Sequence, residues 1–133
     1  MSMFERTRAL YADLAKALGV EALPPDGNGG IQLAVGEDDT VILFAQDDVD
    51  VLAVVPVMAL PPQLDHGTMC WLLRRNFYDS DLDPFRLAAD ASGNVILWGR
   101  VPIEGTTGER LAGLLDALAE ESGRIRGELD REA

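Results

Sequence analysis

Cysteine, histidine and aromatic residues are scarce in this 133-residue sequence. The first two scarcities exclude classes of site, and the third limits the composition of the core. The single cysteine, Cys70, cannot form an internal disulfide, and a metal site built from cysteine pairs is excluded. The single histidine, His66, excludes a metal site built from several histidines. Because aromatic residues are only 6% of the chain, the core must be built mainly from Leu, Val, Ile and Ala.

Basic residues are also few, and no apolar run is long. Eleven Lys and Arg stand against 23 Asp and Glu, which gives a formal net charge of -12. Such a charge repels phosphate backbones and anionic lipid, so we expect neither nucleic-acid binding nor membrane insertion. The first apolar segment is interrupted by Glu5, Asp13 and Lys16, unlike the core of a signal peptide. We therefore expect a cytoplasmic protein.

The sequence does contain enough apolar residues for one core. Hydrophobic residues are 47% of the chain, which is typical of a globular protein. A chain of 133 residues is long enough for one domain and too short for two of ordinary size. We predict a single domain over residues 1–133.

Apolar periodicity predicts three helices and five strands. Apolar residues recur at helical spacing near both ends of the chain and in the middle. Between these segments, apolar residues either alternate with polar ones or form short continuous runs, as in strands. The charged tail 124–133 is predicted to fray. The predicted elements are a helix at 2–18, strands at 31–35, 41–45 and 51–58, a helix at 67–77, strands at 85–89 and 95–101, and a last helix capped by Thr106 and Glu109.

The short connections between successive strands predict an antiparallel sheet. The expected fold class is α+β, a five-stranded twisted sheet with three helices in the order α-β-β-β-α-β-β-α. The second and third strands are almost continuously apolar, which indicates that both of their faces are covered. Helices can cover one face, and the other is a candidate for contact with another molecule.

No motif supports an enzyme. Asp65, His66 and Cys70 are close in sequence, but a small cysteine at the edge of an apolar helix face is more often structural than a nucleophile. The acidic run at 79–83 begins like a calcium-binding loop, yet Pro84 stands where that loop requires glycine. We interpret the run as a solvated loop and expect no cofactor and no metal.

Size, acidity, element order and three local sequences together resemble the class I type III secretion chaperones of the CesT/Tir-chaperone family. The first local sequence is LYADLAKALGV at 10–20. The second, WLLRRNF at 71–77, is similar to the L-L-x-x-N helix of the family, and the third, FRLAADASGNVILWGRV at 85–101, is similar to its strand-D-x-x-G-strand hairpin. The resemblance covers nearly the full chain.

The resemblance implies a homodimer that holds the extended N-terminal segment of a secreted effector in the bacterial cytoplasm, without catalysis. It places the dimer contact on the middle helix, and the effector on the first helix and the outer face of the sheet. For each candidate effector-binding residue, the alternative is burial inside the monomer or at the dimer contact. The candidate dimer residues are Met69, Trp71, Arg74 and Arg75. The candidate effector-binding residues are Ala34, Ile42, Phe44, Leu52, Val54, Ile96 and Trp98.

The middle helix is expected to use its two sides differently. Its periodicity assigns Met69, Leu72, Leu73 and Phe77 to the monomer and exposes Trp71 to a second subunit, so Met69 stands in both sets. The alternative to a chaperone is a YbjN-like structural or regulatory module of related fold, which binds a folded partner or none. A hydrolase that uses Cys70 is a third interpretation.

Overall fold

The computed structural model confirms the predicted fold class and the order of elements. It describes residues 5–21, 23, 30–36, 39–45, 47, 49–60, 63, 65–76 and 85–132, without the side chains of the last two. Residue 2, Phe77 and the acidic run at 79–83 lie outside this description. The elements are α1 (Glu5–Leu18), β1 (Ile31–Val35), β2 (Asp39–Ala45), β3 (Asp50–Ala59), α2 (His66–Arg75), β4 (Arg86–Ala89), β5 (Asn94–Pro102) and α3 (Gly108–Glu132).

The five strands form one antiparallel sheet in the order β1-β2-β3-β5-β4. The consecutive strands β1, β2 and β3 and the hairpin β4–β5 are joined side by side through β3 and β5, so β2, β3 and β5 are the interior strands. Val54 at the centre of β3 lies between Ile42 of β2 and Trp98 of β5. Side chains therefore alternate in register across these three strands, up to a register shift between Pro56 and Met58 of β3.

One face of the sheet, here called the inner face, is covered by α1 and α3. Val41, Leu43, Val55 and Leu97 on this face are 0% exposed, and they join the buried leucines of the two helices in a single apolar cluster. At about 25 cal/mol per Å² of apolar surface removed from water, this cluster is the main source of stability. It accounts for the predicted dominance of aliphatic residues in the core.

Helix α3 is longer than predicted, and the expectation that the tail frays is wrong. The helix continues to Glu132, and Ile125 and Leu129 are 0% and 5% exposed. These two residues extend the spacing of buried positions set by Leu118 and Ser122, so their side chains remain over the sheet. The burial of these apolar side chains stabilises the end of the helix, although the residues on its solvent side are mostly charged.

A polar cluster also ties the end of α3 to the sheet. Arg126 donates from Nε to the carbonyl of Val57 at 2.9 Å and from a terminal nitrogen to Asp39 Oδ1 at 2.6 Å. Ser122 Oγ donates to the same carboxylate oxygen at 3.3 Å. Asp39, which lies just before the predicted strand at 41–45, is thus the first residue of β2 and a partner of α3. The backbone around Val57 is irregular, with a register shift between Pro56 and Met58.

The start of α3 differs from the predicted cap by one residue. Thr107 Oγ1, not that of Thr106, accepts the backbone N–H of Arg110 at 3.1 Å, as an N-cap does. Thr106 instead donates its hydroxyl to the carbonyl of Pro102 at 2.6 Å. Gly108 then begins the helix and donates its N–H to Asp13 Oδ2 at 2.5 Å, where α3 crosses α1. Its missing side chain allows the two backbones to meet.

Candidate functional site: an apolar sheet face and an exposed helix face

The face of the sheet opposite α1 and α3, here called the outer face, brings together all seven predicted effector-binding residues. In the pairing register Phe44 lies opposite Leu52, and Val54 lies between Ile42 and Trp98. Ile96 lies two residues before Trp98 on β5, and Ala34 lies on β1. Because side chains two apart on a strand share a face, these residues form one continuous apolar surface.

The outer face is only partly shielded from solvent. Phe44 is 36% exposed, Ala34 is exposed, and the other five residues are half-buried. The ring of Phe44 lies against the backbone of Gly30, where an added methyl group would sit 3.3 Å from a ring carbon. These exposures leave apolar surface on β1, β2, β3 and β5 available for contact.

Polar side chains surround this surface. Arg100 pairs with Asp50 at 3.5 Å beyond Leu52, and Arg86 lies opposite Trp98 on the edge strand β4. Since the Arg100 side chain is 58% exposed, the ion pair contributes little to stability. An apolar centre with a polar rim is the usual composition of a protein-binding surface.

Helix α2 begins at a regular cap. Asp65 accepts the N–H of Thr68 at 2.7 Å, and this backbone hydrogen bond is the main reason that the pKa of the Asp65 carboxyl lies below its ordinary value. Thr68 is buried, and Arg74 and Arg75 lie in the last turn, where positive charge suits the helix dipole. Local sequence thus accounts for both ends of the helix.

The two sides of α2 are nearly the reverse of the predicted ones. Met69 and Leu73 are 47% and 66% exposed, so their predicted packing inside the monomer is wrong. Trp71 and Leu72 pack against the buried cluster, and the Arg75 guanidinium lies 5.6 Å from the Trp71 ring centre. Among the predicted dimer residues, Met69 and Arg74 are exposed, and Trp71 and Arg75 are half-buried. Their role in a dimer stays a prediction.

An apolar groove runs between α2 and the β4–β5 hairpin. Its volume is about 170 Å³, and its exposed wall consists of Met69 and Leu73. At the end of the groove, Asn76 bonds to the backbone of β4 through its side-chain amide. The lining residues are Leu60, Met69, Leu72, Leu73, Asn76, Leu87, Ala88, Ala89 and Val95.

A match to a family profile decides which proteins this chain is related to. The profile of the Tir chaperone protein (CesT) family matches residues 9–126, which is most of the chain. This chain belongs to the Tir chaperone protein (CesT) family. The resemblance noted from the sequence is therefore confirmed, and with it the role of a type III secretion chaperone, in preference to a YbjN-like module. Among curated proteins, none matches the chain significantly.

Solved structures of similar fold include chains from several chaperone complexes. A chain of the heterodimeric ExoU–SpcU complex from the type III secretion system of Pseudomonas aeruginosa is 27% identical, with a TM-score of 0.73 over 89% of this chaperone and 95% of that chain. A chain of the ExsC–ExsE complex is 21% identical, with a TM-score of 0.76 over 95% of each chain. A chain of the complex of the Yersinia pestis chaperone SycH with a YscM2 fragment is 22% identical, with a TM-score of 0.71 over 86% and 96%.

The cysteine and the histidine considered for catalysis lie together on α2. Cys70 Sγ lies 3.4 Å from His66 Nε2, one turn away on α2, and among the described residues no third side chain is seen to hydrogen-bond to this histidine. Within the described ranges, no three His, Cys, Asp or Glu side chains cluster as metal ligands do. The family role is non-catalytic. No helix among those described has the length and hydrophobicity of a membrane span.

A second groove of the chaperone lies beside α1, with a volume of about 660 Å³. Leu10 and Ile103 form its apolar floor, and Arg6, Lys16 and Glu104 stand around it. The alternation of strand residues could not indicate this groove, because the groove forms where the connection between β5 and α3 passes α1. The amphipathic pattern of α1 was the available signal.

Proposed function

We propose that this chaperone is a cytoplasmic homodimer that binds the N-terminal segment of a secreted effector in extended form, without catalysis. The observation that carries the proposal is the outer face, an apolar surface that spans four strands and remains partly exposed. An extended segment can place alternate apolar side chains on such a surface while its backbone pairs with a strand edge. The segment then never folds into a closed domain, which keeps it competent for secretion.

The two edges of the sheet are not equivalent for such pairing. At one edge, the side chain of Asn76 already bonds to the backbone of Leu87 on β4. At the other edge, β1 pairs with β2 on one side only. We therefore assign backbone pairing with the effector to β1, beside Ala34 and the apolar rows of β2 and β3.

Charge indicates what surrounds the apolar positions of the bound segment. From residue 17 to residue 73 the chain has nine Asp or Glu and no Lys or Arg, and this span contains β1, β2 and β3. Opposite charges across an interface speed association and select partners. We expect the effector segment to carry Lys or Arg beside its apolar residues.

The exposed side of α2 supports the homodimer. Met69 and Leu73 form the open wall of an apolar groove, and large exposed apolar groups of this kind are typical of subunit contacts. A second copy of α2 can cover both residues, because a two-fold axis brings the same surface of each subunit together. Trp71 then supports the dimer contact indirectly, because it packs against the core of its own subunit and holds α2 in place.

One experiment with two measurements tests the proposal. Light scattering during gel filtration should give a dimer for the natural chain and a folded monomer for Leu73→Glu, since a charge buried without a partner costs several kcal/mol. Leu18→Glu is the matched control, because Leu18 is a similarly exposed leucine on α1.

The second measurement uses the N-terminal fragment of the secreted protein encoded beside the chaperone. Replacing Phe44 and Trp98 by alanine should weaken fragment binding tenfold or more, as loss of a buried aromatic contact does. Val49→Ala, in the exposed β2–β3 turn, should not change it. A natural chain that stays monomeric, or fragment binding that is unaffected by the aromatic substitutions, would contradict the proposal.

A further inference from the structure

Asn76 makes an unusual attachment between the end of α2 and the edge of the sheet. Its Oδ1 accepts the N–H of Leu87 at 2.5 Å, and its Nδ2 donates to the carbonyl of the same residue at 2.8 Å. The side-chain amide therefore satisfies one donor and one acceptor of a single strand residue, as a neighbouring strand does in a sheet. Both bonds join residues 11 positions apart, across the segment that links α2 to β4.

The groups that Asn76 satisfies lie on the free side of β4. Leu87 is paired with Leu97 of β5, but its own N–H and carbonyl point away from β5 toward the amide. The Leu87 side chain is buried in the core, so the backbone to which Asn76 bonds is itself firmly held. Asn76 thus fixes the last turn of α2 to a rigid part of the sheet.

Besides this attachment, apolar contacts on one side hold α2 to the core. Trp71 and Leu72 pack against the core, while Met69 and Leu73 project outward. Apolar contacts alone tolerate rotation of a helix about its axis, because they have no preferred direction. Two hydrogen bonds at the helix end do not tolerate such rotation, since their geometry is directional. The amide of Asn76 therefore constrains the direction in which Met69 and Leu73 project.

We propose that Asn76 is a positioning residue for the subunit interface, which orients α2 on β4 so that Met69 and Leu73 meet a second copy of the chain. This role rests on the homodimer proposed above. It differs from a purely structural role because the core of α1, α3 and the inner face of the sheet does not depend on the amide. Its loss is expected to affect association much more than folding.

The test compares Asn76→Ala with the natural chain by sedimentation over a dilution series. We expect the dimer dissociation constant to rise tenfold or more while the far-ultraviolet circular dichroism is retained. Hydrogen exchange provides a second measurement, because the Leu87 amide should exchange much faster in the variant while core amides of β5 stay protected. Asn94→Ala is the matched control, since the Asn94 side chain bonds to Asp90 within the β4–β5 turn, away from α2.

A second variant keeps the test decisive if Asn76→Ala does not fold. Asn76→Asp retains the acceptor for the Leu87 N–H and loses the donor, so its dissociation constant should be several times that of the natural chain. A natural dimer whose dissociation constant is unchanged by both substitutions would overturn the positioning role alone. A natural chain that is monomeric at every concentration would refute the homodimer itself, and the two failures are thereby distinguished.

Discussion

Gly108 is the position where the smallest possible substitution should have a large effect. It begins α3 at the crossing with α1, and it is buried. A methyl group added there would overlap the backbone carbonyl of Asp13 and lie 2.6 Å from the nitrogen of Leu14. Neither atom can move aside alone, because both belong to the backbone of α1. The substitution Gly108→Ala must therefore separate the two helices.

The expected cost follows from two opposing effects. Adding a methyl group to a packed site costs about 1–3 kcal/mol, and contact with backbone places this site at the upper end. Alanine favours a helix over glycine by up to about 1 kcal/mol, which offsets part of that cost. The net loss in the free energy of unfolding is about 2 kcal/mol. For a domain of this size it lowers Tm by about 8 °C.

Thermal unfolding at a fixed protein concentration measures the effect, and the same helix offers a control. An added methyl group at Gly113, on the exposed side of α3, meets nothing within 4 Å. Gly113→Ala should therefore raise Tm by a few degrees through helix propensity alone. If Gly108→Ala melted at or above the temperature of the natural chain, the close crossing of α1 and α3 would be refuted.

Two further predictions concern the polar groups of the fold. Arg126→Ala removes the guanidinium from the Val57 carbonyl and from Asp39, which keeps only the 3.3 Å bond from Ser122 Oγ, so it should lower the free energy of unfolding in urea by about 2–3 kcal/mol. Arg124→Ala removes a side chain that is 46% exposed in its pair with Glu121, so it should change that free energy by less than about 1 kcal/mol, and equal effects would refute the role of the cluster. Burial raises the pKa of Tyr11 from 10.0 to about 12, so the neutral phenol stabilises the fold below pH 10 and this contribution is lost as the pH rises through about 12. The urea midpoint should thus fall less between pH 8 and pH 11 in Tyr11→Phe than in the natural chain, and an equal fall would contradict the assignment.

The sequence was sufficient to predict the outer face because strand periodicity is local. Once β2, β3 and β5 are recognised, alternation divides the side chains of each strand into two sets. The pairing register then brings the sets that contain Ile42, Val54 and Trp98 to one face. The strand order was not predicted, because β3 and β5 are separated in the chain by α2 and their pairing is not local. Which face the helices cover also depends on the fold as a whole.

Helix α2 shows why helical periodicity alone was insufficient. The segment has apolar residues on two sides, and nothing within it indicates which side meets the sheet. The structure selects Trp71 and Leu72, the opposite of the prediction for Trp71, and leaves Leu73 outside. The prediction that the tail of α3 frays was wrong for a different reason. The helical spacing of Ile125 and Leu129 is visible in the sequence, but the prediction gave more weight to the charged residues around them.

The closure of β4 by an amide from the same chain also bears on how the protein behaves at high concentration. An exposed strand edge is a template on which further chains can add, and continuous growth requires two such edges on each molecule. Here the edge strand is four residues long, and its Leu87 backbone groups are already bonded. If β1 accepts a strand as proposed, the bonded Leu87 groups at β4 hinder the addition of a further chain at the opposite edge. We therefore expect Asn76 to slow fibrous aggregation, in addition to the orienting role proposed for it.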